Sequence, residues 1–485
     1  MIDIRDLREN PDRYRKGAAL KRVSVDIDRL VHLDSLKREL QTQQEGARSE
    51  QKKLAKETGP LIGQLTASLK KAASDAERVE IEARINEIKA APSRLKTEIQ
   101  ELEERIGQIE PELTALLLRV PLPPDADVPV GTSSEDNVEI RRWSPAWWNF
   151  EKSFEANKGF KPRNHIRLCE ELGLVDFVRG VRVAGSRSYV LSGAGMLLHQ
   201  ALTRYAFDFM VRDNGFIPMS VPVLVREEAM VGTGFFPAGR AQSYLIDETR
   251  RWQIEADEEE PVAGTANTGQ DLYLTGTGEV GLMGVHMGEI LDERDLPRKY
   301  VTVSTCFRRE AGAAGKDTAG LYRVHQFDKV EQVVICRADE AESRAWHTKM
   351  IGYVEMFLRS LELPHRLLQC CTGDLGVKNA DMVDVECWVP GRGESQTDGS
   401  TIGAFGETHS ASRLYDYQCR RLNMRYRPGG EAGSGATVFC HSLNNTVAAS
   451  PRLMIPLLEM HQNADGSVTI PTVLRPYMGG MDRIG

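Results

Sequence analysis

The stretch Phe307–Glu331, FRREAGAAGKDTAGLYRVHQFDKVE, sets a β-rich segment on either side of a glycine-rich loop. An antiparallel hairpin is the simplest fold for it. Residues two apart on a strand share a face, so Arg308 and Glu310 fall together on the outgoing arm. Arg323, Phe327 and Glu331 share parity on the returning one, and a single pocket could collect all five. Arginine grips phosphate through paired charge-assisted bonds, a carboxylate accepts from an adenine amino group, and an aromatic face stacks on a purine. Such a pocket suits ATP. Taken by itself, FRxE reads better as a surface hairpin whose charges are already paired.

On either side of this stretch, helical and β-rich patterns alternate from about Arg141 without a fixed repeat. Strands are expected over 300–307, 329–336 and 382–389, and helices over 193–214, 340–361 and 450–462. The fold class is therefore α+β with a mainly antiparallel sheet. Polar glycine-rich stretches at 391–406 and 428–435 read as loops. Two other nucleotide motifs compete. Gly312–Lys316 lacks the spacing and the hydroxyl of a phosphate loop. Gly276-Thr-Gly278-Glu-Val-Gly281 does spell GxGxxG after a strand-like LYL, but no βαβ unit ending in an acidic residue follows it.

Toward the N-terminus the pattern changes to long helices. Ile85, Ile88, Leu95, Ile99, Leu102, Ile106, Ile109, Leu113 and Leu116 alternate spacings of three and four apart from one interruption at Pro92, the seam of a coiled coil. An earlier helix carries Leu33, Leu40, Ala47, Leu54 and Leu61, while Gln43 and Glu50 weaken its second line. A break near 72–75 folds the pair into an antiparallel two-helix arm, with a kink expected near Gly59-Pro60 and Pro92. Arg48, Lys52, Lys53 and Lys56 recur at helical spacing and suit phosphate contacts; a solvated face, a spacer or a dimerisation arm is the plainer reading. The proline-rich run from Val120 breaks helix, which divides the chain into an N-terminal domain, 1–119, and a linker with body, 120–485.

Composition narrows the class further. With 485 residues, 41% of them hydrophobic and 27% charged, the chain is neither collagenous nor wholly disordered. The longest uncharged apolar runs, such as Leu113–Leu118, fall far short of the roughly 20 residues of a membrane span. The charged start MIDIRDLREN lacks a signal core. Eight cysteines without a CxxC pair suit reduced thiols, hence a bacterial-type cytoplasm and no zinc. Residues 1–119 hold 23 basic and 22 acidic side chains, so any nucleic-acid surface is local.

The full spelling of 307–331 resembles the second signature motif of bacterial seryl-tRNA synthetases, a family of class II aminoacyl-tRNA synthetases. The resemblance runs from MIDIRDLRENPD through the arm to Val473-Leu-Arg-Pro-Tyr-Met. Gly215–Pro222 resembles the first class motif and Ser442–Arg452 the third. What it implies is a six- or seven-stranded antiparallel sheet with flanking helices, a homodimer, ATP and Mg²⁺, L-serine as substrate, and an arm that grips serine tRNA through residues such as Arg48, Lys52, Lys53 and Lys56. By motif, Arg308 meets the α-phosphate, Arg323 is a further phosphate contact and Arg309 also belongs to the ATP site. Glu310 meets the adenine edge, Phe327 the purine face and Arg452 the γ-phosphate. The segment Glu407-Thr408-His409-Ser410 binds ATP, Glu407 and Ser410 also holding the metal. Thr277, Gly278, Glu279, Glu331 and Thr446 surround serine.

Some positions depart from the family spelling. Gly276 and Gly278 flank Thr277 and predict a looser strand, His409 replaces a small residue, and Asn445-Thr446-Val447 adds bulk beside the pocket. These departures leave room for a specialised duplicate with a resistance or biosynthetic role, or for a silent tRNA-binding homologue. Trp143, Trp147 and Trp148 read as packing, with base stacking as the alternative.

Overall fold

The computed structural model describes residues 1–246, 272–311, 319–393, 402–430 and 435–485, and these form two compact units. One holds Ile4–Arg15 and Ser24–Val120; the other holds Met1–Asp3, Lys16–Val23 and Pro121–Gly485.

The first unit is dominated by helices α1 (Ile27–Leu69) and α2 (Asp75–Arg119). Their starts are capped by Asp26, which accepts from the Arg29 N–H, and by Ser74, which accepts from the Glu77 N–H. Ion pairs Arg29–Glu112, Lys37–Glu110 and Arg48–Glu103 run in opposite numerical directions, so the helices are antiparallel. Leu33, Leu40 and Ala47 are buried on α1, and Ile85, Ile99, Leu102 and Leu113 on α2. The seam fades toward the tip, where Leu61 is 50% exposed. Both helices continue past their prolines, α1 through Pro60 and α2 through Pro92 and Pro111.

The second unit is built on a sheet of β1 (Val138–Trp143), β2 (Ile217–Met219), β3 (Arg298–Phe307), β4 (Gln326–Cys336), β5 (His365–Gln369), β6 (Asp381–Val389), β7 (Ala404–Tyr415) and β8 (His441–Ser450). Its order is β1-β5-β6-β7-β8-β4-β3-β2. Every pairing is antiparallel except β2 with β3. Eight strands therefore replace the six or seven implied by resemblance, because the short edges β1 and β2 both pair.

Alternation along the strands separates two faces. Val330 and Val334 of β4 join a core with Leu198 and Leu202 of α3 (Gly193–Asp208), Val354 and Phe357 of α5 (Glu340–Ser360) and Leu457 of α6 (Met454–His461), where α4 denotes Glu279–Gly284. Phe327, Lys329 and Glu331 point the other way and line a cavity. The helix expected from Ser450 starts at Met454 instead, since Ser450 still pairs with Asp328 in the β8–β4 ladder. The helix expected over 193–214 ends at Asp208 and passes into a wider turn over Phe209–Asp213. Trp148 is buried among Phe150, Phe154 and Trp388 with ring centroids 6.0–6.5 Å apart, which is packing rather than a base platform. Residues 394–401 of the 391–406 loop and all of Gly312–Lys316 lie outside the described residues.

Candidate active site

A cavity of about 380 Å³ opens on the face of the sheet that alternates with the helix-packed one. Arg308, Glu310, Arg323, Phe327 and Glu331 all line it, by a route that differs from simple parity. β3 stops at Phe307, so Arg308 and Glu310 are not strand residues. The Arg308 N–H donates to the His325 carbonyl at 2.9 Å, and Glu310 turns the chain with a left-handed φ of 52°. Convergence on the outgoing arm thus comes from a turn, whereas Phe327 and Glu331 do share a face of β4.

At this end the groups already hold one another. Arg323 donates to Glu310 Oε2 at 2.7 Å. The Arg308 guanidinium lies 5.3 Å from the Phe327 ring centroid, a cation over the aromatic face. Arg452 sits 4.5 Å from the Tyr322 ring, donates to the Tyr322 carbonyl at 3.1 Å, and lies 3.7 Å from Glu407 Oε1. Arg309 departs from its predicted place: its side chain is exposed and outside the cavity lining, while its N–H donates to the Gln242 carbonyl.

On β7 a bulge decides which groups face the cavity. Val385 of β6 pairs with His409 and Glu386 pairs with Glu407, so Thr408 is the extra residue. Glu407 and Ser410, three apart in sequence, thereby come to the same face, opposite Glu386 and Asp384. The Thr408 hydroxyl donates to the Val385 carbonyl at 3.1 Å, and His409 Nε2 meets the Val447 carbonyl at 3.0 Å. Both residues border the cavity, yet their polar atoms serve the sheet. Burial pushes the His409 imidazole down to about 3, so it is neutral.

Beside this segment a neighbouring cavity of about 490 Å³ brings Asp374, Asp384 and Glu386 next to Glu407 and Ser410. Ligand atoms of Cys370, Asp374 and Asp384 lie within 4.8 Å of one another. Burial and the charge of Glu407 raise Asp384 well above the carboxylate range, and burial keeps the Cys370 thiol protonated.

At the opposite end the cavity is a buried cluster of charges. Glu331 Oε2 lies 2.5 Å from Lys329 Nζ, and Glu279 Oε1 accepts from both Lys378 Nζ and Gln418 Nε2 at 2.6 Å. Burial raises the Glu331 carboxyl, which Lys329 opposes. Thr277 accepts from the Glu279 N–H at 3.2 Å at the start of α4, and Thr446 pairs with Glu331 across β8 and β4. A dinucleotide loop is ruled out: the strand Leu272–Leu274 belongs to a small antiparallel sheet, not a parallel βαβ unit.

The departures crowd the pocket less than their bulk suggests. Asn445 faces α5, donating to the Met350 carbonyl at 3.1 Å, and Val447 lies in the helix-side core. Gly278 marks tightness rather than looseness, since a Cβ there would sit 2.5 Å from Thr302 Cγ2. Four site residues went unread in the sequence. Lys329 had a signal, its parity with Phe327 and Glu331. Lys378 and Phe235, which loops carry to the cavity, and Gln418, which a short helix brings to Glu279, had none. In the other unit, Lys52, Lys53 and Lys56 are exposed and Arg48 pairs with Glu103.

The tRNA synthetase class II core domain (G, H, P, S and T) matches residues 262–461, and the seryl-tRNA synthetase N-terminal domain matches residues 1–123. The serine–tRNA ligase of Deinococcus radiodurans is 38% identical over 100% of this chain and 99% of its own. The chain belongs to the seryl-tRNA synthetase family. Another serine–tRNA ligase, from Dictyoglomus turgidum, is 37% identical over 99% of this chain and 98% of its own. Among solved structures, the seryl-tRNA synthetase of Pyrococcus horikoshii complexed with ATP is 34% identical with a TM-score of 0.79, covering 100% of this chain and 99% of that one. The cytoplasmic serine–tRNA ligase of Naegleria fowleri in complex with AMP is 28% identical with a TM-score of 0.76, covering 98% of this chain and 95% of that one. In this seryl-tRNA synthetase family member, both matched domains fall in one chain, and every residue that lines the cavity except Phe235 falls within the class II core match.

Proposed function

We propose that this chain activates L-serine with ATP to seryl-adenylate and transfers the seryl group to the 3′ end of serine tRNA. The observation that carries this reading is the gathering of Arg308, Glu310, Phe327, Glu407 and Arg452 in the same cavity as Thr277, Glu279, Glu331 and Thr446. In the first step a serine carboxylate oxygen attacks the α-phosphorus, and the bond to pyrophosphate breaks. A carboxylate is already a nucleophile, so no base is required; position and cations do the work. Arg308 holds the α-phosphate while Phe327 and Glu310 hold the adenine, and Arg452 and Arg323 take the far phosphates. Each arginine is pre-set by a ring or carboxylate partner, which lowers the reorganisation needed when charge develops.

Glu407 and Ser410 would hold Mg²⁺. They present oxygen donors on one face of β7, a hard donor pair that suits this ion. When bound, it would neutralise charge on the phosphoryl oxygens. Serine exceeds alanine by one hydroxyl, and a site that bonds it rejects the analogue lacking it by as much as roughly 10⁴ to 10⁵. Thr446 and Glu331 supply those partners.

The arm carries tRNA through Arg48, Lys52, Lys53 and Lys56. The enzyme works as a cytoplasmic homodimer; the free cysteines and the half-exposed Ile217 on edge strand β2 support this. Among the described residues no helix is long and apolar enough to cross a membrane. The test compares pyrophosphate exchange into ATP and tRNA charging with serine, threonine, alanine and cysteine. Serine should drive both; exchange without charging would point to the specialised duplicate.

A further inference from the structure

Lys378 belongs to none of the sequence motifs, yet it occupies the carboxylate on which the amino-acid end of the cavity is centred. It lies in the loop between β5 and β6. Its Nζ donates to Glu279 Oε1 at 2.6 Å and lies 4.0 Å from the Phe235 ring centroid. Glu279 is 2% exposed and Glu331 1%. A buried carboxylate needs a counter-charge. Here each has one before any substrate arrives, Lys329 for Glu331 and Lys378 for Glu279.

Serine enters as a zwitterion. Its carboxylate has Arg308 to meet, but its ammonium finds no unpaired carboxylate at this end. Of the two lysines, one is far better placed to give way. Lys329 is fixed in mid-strand on β4, with its side chain only 7% exposed. Lys378 sits on a loop, and Gln418 holds the same Glu279 oxygen independently. Gln418 is itself anchored to the Thr233 carbonyl at 2.8 Å and to the Ser442 hydroxyl at 3.0 Å. The carboxylate therefore keeps its position when the lysine leaves. Burial lowers the Lys378 ammonium despite Glu279, which makes its charged, paired state easier to give up.

We infer that Lys378 is a specificity-determining residue of the serine pocket: its ammonium stands in for the substrate's α-ammonium on Glu279 and is displaced when serine binds. The lysine is an internal competitor that raises the KM for serine. It also demands an amine from the substrate, since only an ammonium replaces the contact Glu279 loses.

The inference rests on the serine-activation reading, so serine-dependent pyrophosphate exchange by the unaltered full chain is measured first. Its absence overturns both. The decisive variant is Lys378→Met, which keeps the stem on Phe235, with Lys378→Gln making the same comparison should the methionine variant fail to fold. The KM for serine should fall about tenfold, equivalent to about 1.4 kcal/mol. The fall should vanish in a Glu279→Gln background. Inhibition by 3-hydroxypropionate, which is serine without its amino group, should not tighten. A KM that stays level or rises, a fall that persists without Glu279, or parallel tightening of the amine-free analogue each overturns the role of Lys378 while leaving serine activation standing.

Discussion

Arg308 illustrates how much a single side chain at the cavity depends on its neighbours. It is stacked on Phe327 and lies 3.4 Å from the Gly276 carbonyl before any nucleotide arrives. Loss of a pre-set charge partner for a developing oxyanion costs about 10² to 10³ in rate. Arg308→Ala should therefore reduce serine-dependent pyrophosphate exchange by that order while far-ultraviolet dichroism is unchanged; exchange at the unaltered rate would remove Arg308 from the reaction. His409 makes a separate prediction about acid. Its folded-state value of about 3 is below the roughly 6.5 of an unfolded histidine. The unfolded chain then binds the extra proton, so the stabilisation is complete above about pH 6.5 and is lost progressively as pH falls toward 3. At about 1.4 kcal/mol per unit, a few kcal/mol are at stake. His409→Asn should flatten the decline in thermal midpoint between pH 6.5 and 4, and an unchanged slope would show that other groups govern it.

Elements add what residues alone do not. The heptad seam was legible in full on α2, where its apolar residues are buried or half-buried. On α1 it was legible as far as Leu54; Leu61 is exposed, because beyond it the half-buried positions shift to Ile62, Leu65 and Leu69. Leu40→Ala should lower the stability of the helical unit by about 2 to 5 kcal/mol, whereas Leu61→Ala should stay within about 0.5 kcal/mol. Thermal unfolding followed at 222 nm separates the two, and equal losses would mean the seam extends to the tip. In the sheet, parity located Phe327 and Glu331 correctly because β4 pairs with β3 without a break in register. It could not locate Glu407 with Ser410, because the extra residue at Thr408 is set by the β6–β7 pairing rather than by local sequence. The same holds on β8, where the skipped Val447 puts Ala449 on the cavity side with Thr446.

At the scale of the molecule, the two units divide the proposed work. On the proposed reading, amino-acid activation needs the cavity of the second unit, and tRNA charging needs in addition the basic face of the first. Replacing Lys52, Lys53 and Lys56 with alanine in the full chain should raise the KM for tRNA and flatten its salt dependence by roughly 2 to 3 in log–log slope, since each lysine releases nearly one counterion. Exchange without tRNA should not change. Equal damage to both reactions would end that division of labour.

Periodicity and a long uninterrupted motif were enough to determine the class of fold, the helical arm and the family, because each depends on residues near one another in the chain. The charge balance of the amino-acid pocket was decided only in three dimensions. Glu279, Gln418 and Lys378 come from a short helix, a second short helix and a loop, as many as 139 residues apart. A buried carboxylate takes whichever cation the folded chain brings within reach, and no local pattern says which one that will be.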